Sequence, residues 1–261
     1  MLLKDLIGLL EKKYNINLME KWDNSGLIIG REERNVSKIL ICLDITNDII
    51  EQALENKADL IISHHPLIFN EIKKINSGSL LGKKILKLIE NNIAVYSIHT
   101  NADSAVGGLN DFILEKMKLH GKTEILFKNE FEDSVIGGLG RVVELEEETE
   151  IMCIIKKMKE NLGLENIRIV GSAKNKIKKI AVVTGSGGSL IPNLDKSIDL
   201  YITGDLKHHE SLDAYEEGMA LIDLGHYESE VIFSELIKKD LEKEFDGDII
   251  KANEKHVFEI I

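Results

Sequence analysis

Six short apolar runs, spaced by helix-like segments, constrain this chain more than any other feature. KILICLD (38–44), ADLIIS (58–63) and IAVYSIH (93–99) read as buried strands. TNDIIEQALENK and LLGKKILKLIENN lie between them with apolar residues at helical spacing. The rhythm returns in KKIAVVTG (178–185), IDLYITG (198–204) and MALIDLG (219–225). Helix-like LKHHESLDAYEEG and ESEVIFSELIKKDLEKEF separate or follow these runs. Parallel strands need such crossovers, so the expectation is an α/β fold of mostly parallel sheets.

The two sets of runs resemble each other. KILICLDITNDIIEQALENKADLIISHH aligns with KIAVVTGSGGSLIPNLDKSIDLYITGD, which predicts two similar strand-helix halves, 1–124 and 177–261. The stretch between, 125–176, differs. SVIGGLGRVVEL reads as a glycine-interrupted strand or hairpin, TEIMCIIKKMKENLG as a helix and NIRIVGS as a strand, together a short α+β segment.

Composition narrows the class. Apolar residues make up 43% and charged residues 30% of 261, which suits a soluble globular protein. No uncharged apolar run reaches the roughly 18 residues of a membrane span. The start, MLLKDLIGLLEKK, places Leu2, Leu3, Leu6, Leu9 and Leu10 on one helical face, broken by Lys4 and Asp5. It reads as an amphipathic helix rather than a secretory signal, and the expected location is cytoplasmic. Cys42 and Cys153 both sit in apolar segments and are expected to be buried and reduced. The formal charge of −12 disfavours a nonspecific nucleic-acid binder, which needs a basic surface.

Histidine is scarce, and most of it stands at strand ends. His64 and His65 follow one strand, His99 ends another with Asp103 four residues on, and Asp205, His208 and His209 follow a third. His226 and Glu230 follow a fourth at i,i+4 spacing, on one face of any helix begun there. The carboxyl ends of parallel strands share one edge, where ligands bind. Pro66 ends the strand before it and lets both preceding histidines turn toward one site. His64, His65, Asp103, His226 and Glu230 then form a mixed nitrogen and oxygen ligand set. Such a set suits Zn, Mn, Fe, Co or Ni more than Ca, and its carboxylates can bridge two ions about 3.5–4 Å apart. His120 and His256 carry no assigned role. The glycines of GSGGS (185–189) read as a tight turn, since the Lys-Ser/Thr of a phosphate loop is missing.

These motifs in this order resemble the Nif-three-like family, also called GTP cyclohydrolase 1 type 2 homologues. The matching stretches are KWDNSGLIIG, DLIISHHPLIF, SIHTNAD with GGLNDFI, GSGGS, YITGDLKHHE and LGHYESE, from about residue 21 to 235. The resemblance implies two divalent metal ions per chain and a toroidal homohexamer. It assigns the ligands to His64, His65, Asp103, His226 and Glu230. Glu230 bridges both ions, His64 and His226 favour one, and His65 and Asp103 favour the other. Asp44, His99, Asp205 and His209 also match family motif positions, without a ligand role. His208 stands where relatives often carry an aromatic residue. The large central insert of some relatives is not present, so no role tied to it is carried over.

Two classes of function fit. One is a metal-dependent hydrolase of a nucleotide-like or phosphorylated small molecule, with His99 or His209 supplying a proton. GTP ring opening is implied by the family name alone. The other is a non-enzymatic metal-binding or regulatory ring built on the same ligands. A scaffold threading nucleic acid is disfavoured by the net charge unless lysines such as Lys73 and Lys74 line the hole.

Overall fold

The protein's structure is a computed structural model that describes residues 1–130 and 136–259. The chain forms two compact units, Met1–Ala105 with Phe233–Ile261, and Val106–Ile232.

The first unit holds helix α1 (Leu3–Glu11), strands β1 (Gly26–Ile29) and β2 (Lys38–Cys42), α2 (Asn47–Glu55), β3 (Leu60–Ser63), α3 (Leu80–Glu90), β4 (Ala94–Ser97) and α4 (Thr100–Ser104). Later in the chain it gains α9 (Phe233–Leu241) and β11 (Asp248–Lys251). The sheet order is β1-β4-β3-β2-β11. Every pairing is parallel except β1 with β4. β2, β3 and β4 are buried along nearly their whole length, as continuous apolar runs must be when both faces are covered. α2 and α3 begin where Thr46 and Ser79 accept the backbone N–H groups of Ile49 and Gly82. α1 buries Leu3, Leu6 and Leu10 and turns its charges outward.

The second unit holds α5 (Leu109–Met117), β5 (Lys122–Glu130), β6 (Ile136–Glu150), α6 (Ile151–Leu162), β7 (Arg168–Val170), β8 (Lys176–Ser186), β9 (Leu200–Gly204), α7 (His208–Glu216), β10 (Ala220–Asp223) and α8 (His226–Glu230). Its sheet runs β5-β6-β8-β9-β10-β7. The centre, β8-β9-β10, is parallel, and the other three pairings are antiparallel. A 3-10 helix over Gly188–Asn193 makes the crossover from β8 to β9. The stretch expected to be α+β supplies β6, α6 and β7, which flank that parallel centre rather than stand apart. Ser134 and Val135, the start of the expected glycine-rich strand, lie outside the described residues. Position 124 falls within β5 and 176 opens β8, so the units divide the chain elsewhere than at those positions.

The internal likeness extends to register. Ile39, Leu60 and Ala94 lie side by side across β2-β3-β4, as Ile180, Leu200 and Ala220 do across β8-β9-β10. One device recurs as well. The Asp59 carboxylate accepts the N–H groups of Ser37 and Lys38, and the Asp199 carboxylate accepts those of Lys178 and Lys179. Each aspartate immediately precedes a central strand and holds the neighbouring strand near its start.

One expectation is corrected. Cys42 is buried, but Cys153 is exposed. On α6 the buried stripe is Ile151, Ile154, Ile155 and Met158, and position 153 falls on the opposite face. No helix among the described residues is long and apolar enough to cross a membrane.

Candidate functional site

In the first unit, pairing runs two residues past β3. The N–H groups of His64 and His65 donate to the carbonyls of Cys42 and Leu43 at 3.1 and 3.0 Å, and Pro66 follows. His64 is fully buried, and its Nδ1 lies 2.8 Å from the Ile98 carbonyl oxygen. His65 Nδ1 lies 2.9 Å from Asp44 Oδ1, and His99 Nδ1 lies 2.7 Å from Asp23 Oδ1. A carbonyl or an ionised carboxylate only accepts, so each Nδ1 carries a proton, and Nε2 is left as the ring's other potential ligand atom. The three rings gather, with centroids 5.1 Å apart for His64–His65 and His64–His99 and 5.5 Å for His65–His99. One potential ligand atom from each lies within 4.8 Å of the others. Asp103, buried on α4, places Oδ1 3.8 Å from His64 Nε2.

Asp23 is the densest node beside this cluster. Besides His99, it accepts from the Thr100 hydroxyl at 2.6 Å, the Thr100 N–H at 3.1 Å, the Ser25 hydroxyl at 2.9 Å and the Asn24 N–H at 2.7 Å. Burial pushes its carboxyl up. The bond and charge of His99, with Thr100 and the Asn24 N–H, override that and hold it well below the usual carboxylate range. Asp23 is therefore a fixed anion that orients His99.

The second unit repeats the pairing of histidine with carboxylate. β9 ends at Gly204, and Asp205 follows in the left-handed region at φ 53°. Its Oδ2 lies 2.7 Å from His226 Nδ1. His226 opens α8, and one turn on Glu230 brings Oε2 to 2.9 Å from His226 Nε2. Glu230 is buried. Glycine makes this closeness possible. A Cβ on Gly185, at φ +70°, would stand 2.2 Å from Glu230 Oε1, and one on Gly204 would stand 2.6 Å from the His226 nitrogen. The Gly185 N–H donates to Ser229 Oγ at 2.9 Å, tying the end of β8 to α8. In the GSGGS stretch, Gly185 thus admits the Glu230 carboxylate.

Over residues 1–258 the sequence matches the Duf34/NIF3 (NGG1p interacting factor 3) family. The chain belongs to that family. Among Duf34/NIF3 relatives, a Clostridium perfringens protein named GTP cyclohydrolase 1 type 2 homolog is 41% identical over 266 residues, covering all of both chains. A Staphylococcus aureus hypothetical protein of known structure superimposes with a TM-score of 0.90 at 28% identity, covering 100% of this chain and 99% of that one. Reduced HcgD from Methanocaldococcus jannaschii matches with a TM-score of 0.85 at 30% identity, covering 97% of this chain and 98% of its own. The mixed α/β architecture is that of NIF3 proteins.

Within each unit the expected residues fall together: His64, His65, His99 and Asp103 in one, His226 and Glu230 in the other. His209 is exposed in the first turn of α7, with its ring centroid 5.3 Å from that of His208. His99, expected to act on substrate, also stands among the potential ligand nitrogens. Sequence reasoning gave Asp44 and Asp205 no contact, and both prove to hold a histidine Nδ1. Asp23 received no role at all. Its DNS context reads as a turn, and its partner His99 is 76 residues away.

Proposed function

We propose that this NIF3-family protein binds two divalent cations per chain through His64, His65, Asp103, His226 and Glu230. We propose further that it hydrolyses a phosphorylated or nucleotide-like small molecule. The observation that carries the reading is the anchoring of histidine. His64, His65 and His226 each bind Nδ1 to an oxygen acceptor, the arrangement that orients a metal-ligating imidazole and raises its basicity. The nitrogen and oxygen donor set, free of thiolate, suits Zn, Fe, Mn, Co or Ni. The bridging role of Glu230 rests on the family likeness.

When bound, such a pair of cations acidifies water and polarises the bond under attack. The protein's own residues supply the rest. Asp23 holds His99 in one orientation, with Nε2 placed to take or return a proton. His209 is the second candidate for that proton. The relatives' name points to a purine nucleotide, whose ring opening needs water at C8 and a proton on the departing nitrogen.

Metal analysis of protein purified without chelator tests the binding. A phosphate- and formate-release screen over nucleotides, with that metal restored, tests the chemistry. Two ions and a released product support the hydrolase. Two ions with no product across the screen favour the metal-binding or regulatory ring. No ion under metal-replete conditions overturns both. From the same likeness we propose a cytoplasmic homohexamer. Light scattering over a dilution series checks the assembly, and a persistent monomer at micromolar concentration counts against it.

A further inference from the structure

The one tryptophan of the chain, Trp22, is 59% exposed, and Phe69 beside it is 47% exposed. Large aromatic rings seldom face water in neighbouring pairs without a partner to cover them. These two are not stacked on each other. Their centroids are 6.1 Å apart and their planes meet at 53°, so much of each face stays open. Both point an edge relation at the same residue: Trp22 lies 6.0 Å and Phe69 6.3 Å from the His99 ring, at 75° and 72°.

Their placement is built. Trp22 immediately precedes Asp23, whose carboxylate is fixed by His99, Thr100, Ser25 and the Asn24 N–H. Phe69 follows Ile68, whose carbonyl accepts the Asn24 side-chain amide at 2.6 Å. Asn24 thus laces the loop of Trp22 to the loop of Phe69, and both loops are held to the histidine cluster. Rings set this way lose little entropy when a flat ligand arrives.

We infer that Trp22 and Phe69 form an aromatic seat for a planar heteroaromatic ring, holding it beside His99. The seat selects a nucleobase-like substrate over a bare sugar phosphate. This deepens the hydrolase reading and rests on it for the role of His99. A π face accepts any base, so the seat sets substrate class rather than base identity. A second copy of the chain laid over the rings would cover the polar cluster they border, which disfavours it as the occupant.

Trp22 is its own reporter. The metal-loaded protein is titrated with GMP, AMP, CMP and UMP, and with ribose 5-phosphate as the ring-free probe, while Trp22 emission is followed. Calorimetry gives the affinities of Trp22→Leu and Phe69→Leu for the same probes. The expected result is quenching by nucleotides and at least about tenfold tighter binding of GMP than of ribose 5-phosphate. Each leucine variant should shrink that preference by roughly 5- to 150-fold, the range of base stacking on an aromatic residue. Equal affinity for both probes overturns the seat, as does an undiminished preference in both variants. Emission that shifts on dilution and ignores every nucleotide assigns the rings to a contact between copies and overturns it too. Metal content and product release are read on the same preparations. Nucleotide preference without metal or turnover leaves the seat standing and removes the hydrolase. Release from nucleotides and ring-free sugar phosphates alike does the reverse.

Discussion

Glu230 and His99 stand in different relations to the proposed cations, and substitution separates them. Glu230 is a buried carboxylate with Oε2 2.9 Å from His226 Nε2. Glu230→Gln removes the negative charge proposed to bridge the two cations, whose mutual repulsion then rises, and at least one ion per chain should be lost. His99 is held by Asp23, and His99→Ala should lower turnover while most of the metal stays. Elemental analysis and single-turnover rates on both variants decide the matter. An empty site in His99→Ala beside a full one in Glu230→Gln reverses the assignment and makes His99 a ligand, a role its place among the potential donor nitrogens also allows. Asp44→Asn and Asp205→Asn act one step further out, through Nδ1 of His65 and His226. Each should weaken metal affinity by about 10–100-fold.

At the scale of elements, close approach and charge each carry a test. Gly185 and Gly163 share a left-handed φ of +70° and +69°, but a Cβ on Gly163 meets nothing within 4 Å. Gly163→Ala should therefore cost only the backbone strain, about 1–2 kcal/mol. Gly185→Ala should cost more in thermal melts, because it also displaces Glu230, and it alone should lose metal. Asp59 tests the clamp between β2 and β3. Burial pushes its carboxyl up, but the Ser37 hydroxyl and N–H, Arg34 and the Lys38 N–H bring it below the usual value. A carboxyl depressed in the folded state contributes stability above its unfolded value of about 3.9. That contribution disappears as pH falls through the lower folded value. Asp59→Asn should thus lower stability near neutrality and flatten the acid limb below about pH 5. Urea melts over that range check it, and parallel acid limbs in wild type and variant count against it. The six central strands were legible in the sequence because their runs are buried on both faces and leave no polar alternation. β1, β5 and β11 were not. β1 and β11 are edge strands, mostly half-buried or exposed rather than buried on both faces, and β5 mixes Lys122, Glu124 and Lys128 into its pattern.

For the whole molecule, the candidate ligand types were legible and the carboxylates that hold them were not. Paired histidines before Pro66 and the i,i+4 spacing of His226 and Glu230 are local signals. Asp44 on His65, Asp205 on His226 and Asp23 on His99 are contacts across 21, 21 and 76 residues, which only the fold creates. The repeat explains the division of labour. Its alignment sets His64 and His65 of one unit against Gly204 and Asp205 of the other, and Asp44 against Gly185. One half carries the proposed ligands His64 and His65 at its strand ends, and the other half has Gly185 and Gly204, which make room for Glu230 and His226 of α8. The proposed ligands therefore belong to both units, which yields a test on the intact protein. Binding that favours the folded state stabilises it by about 2.7 kcal/mol when free metal reaches a hundred times its dissociation constant. Chelation should lower the melting temperature, and restored metal should recover it. The response should appear in both units. Trp22 emission reports the first, and hydrogen exchange at the Gly185 amide, bound to Ser229 Oγ, reports the second. Metal that protects the first unit and leaves the Gly185 amide unchanged would remove His226 and Glu230 from the ligand set.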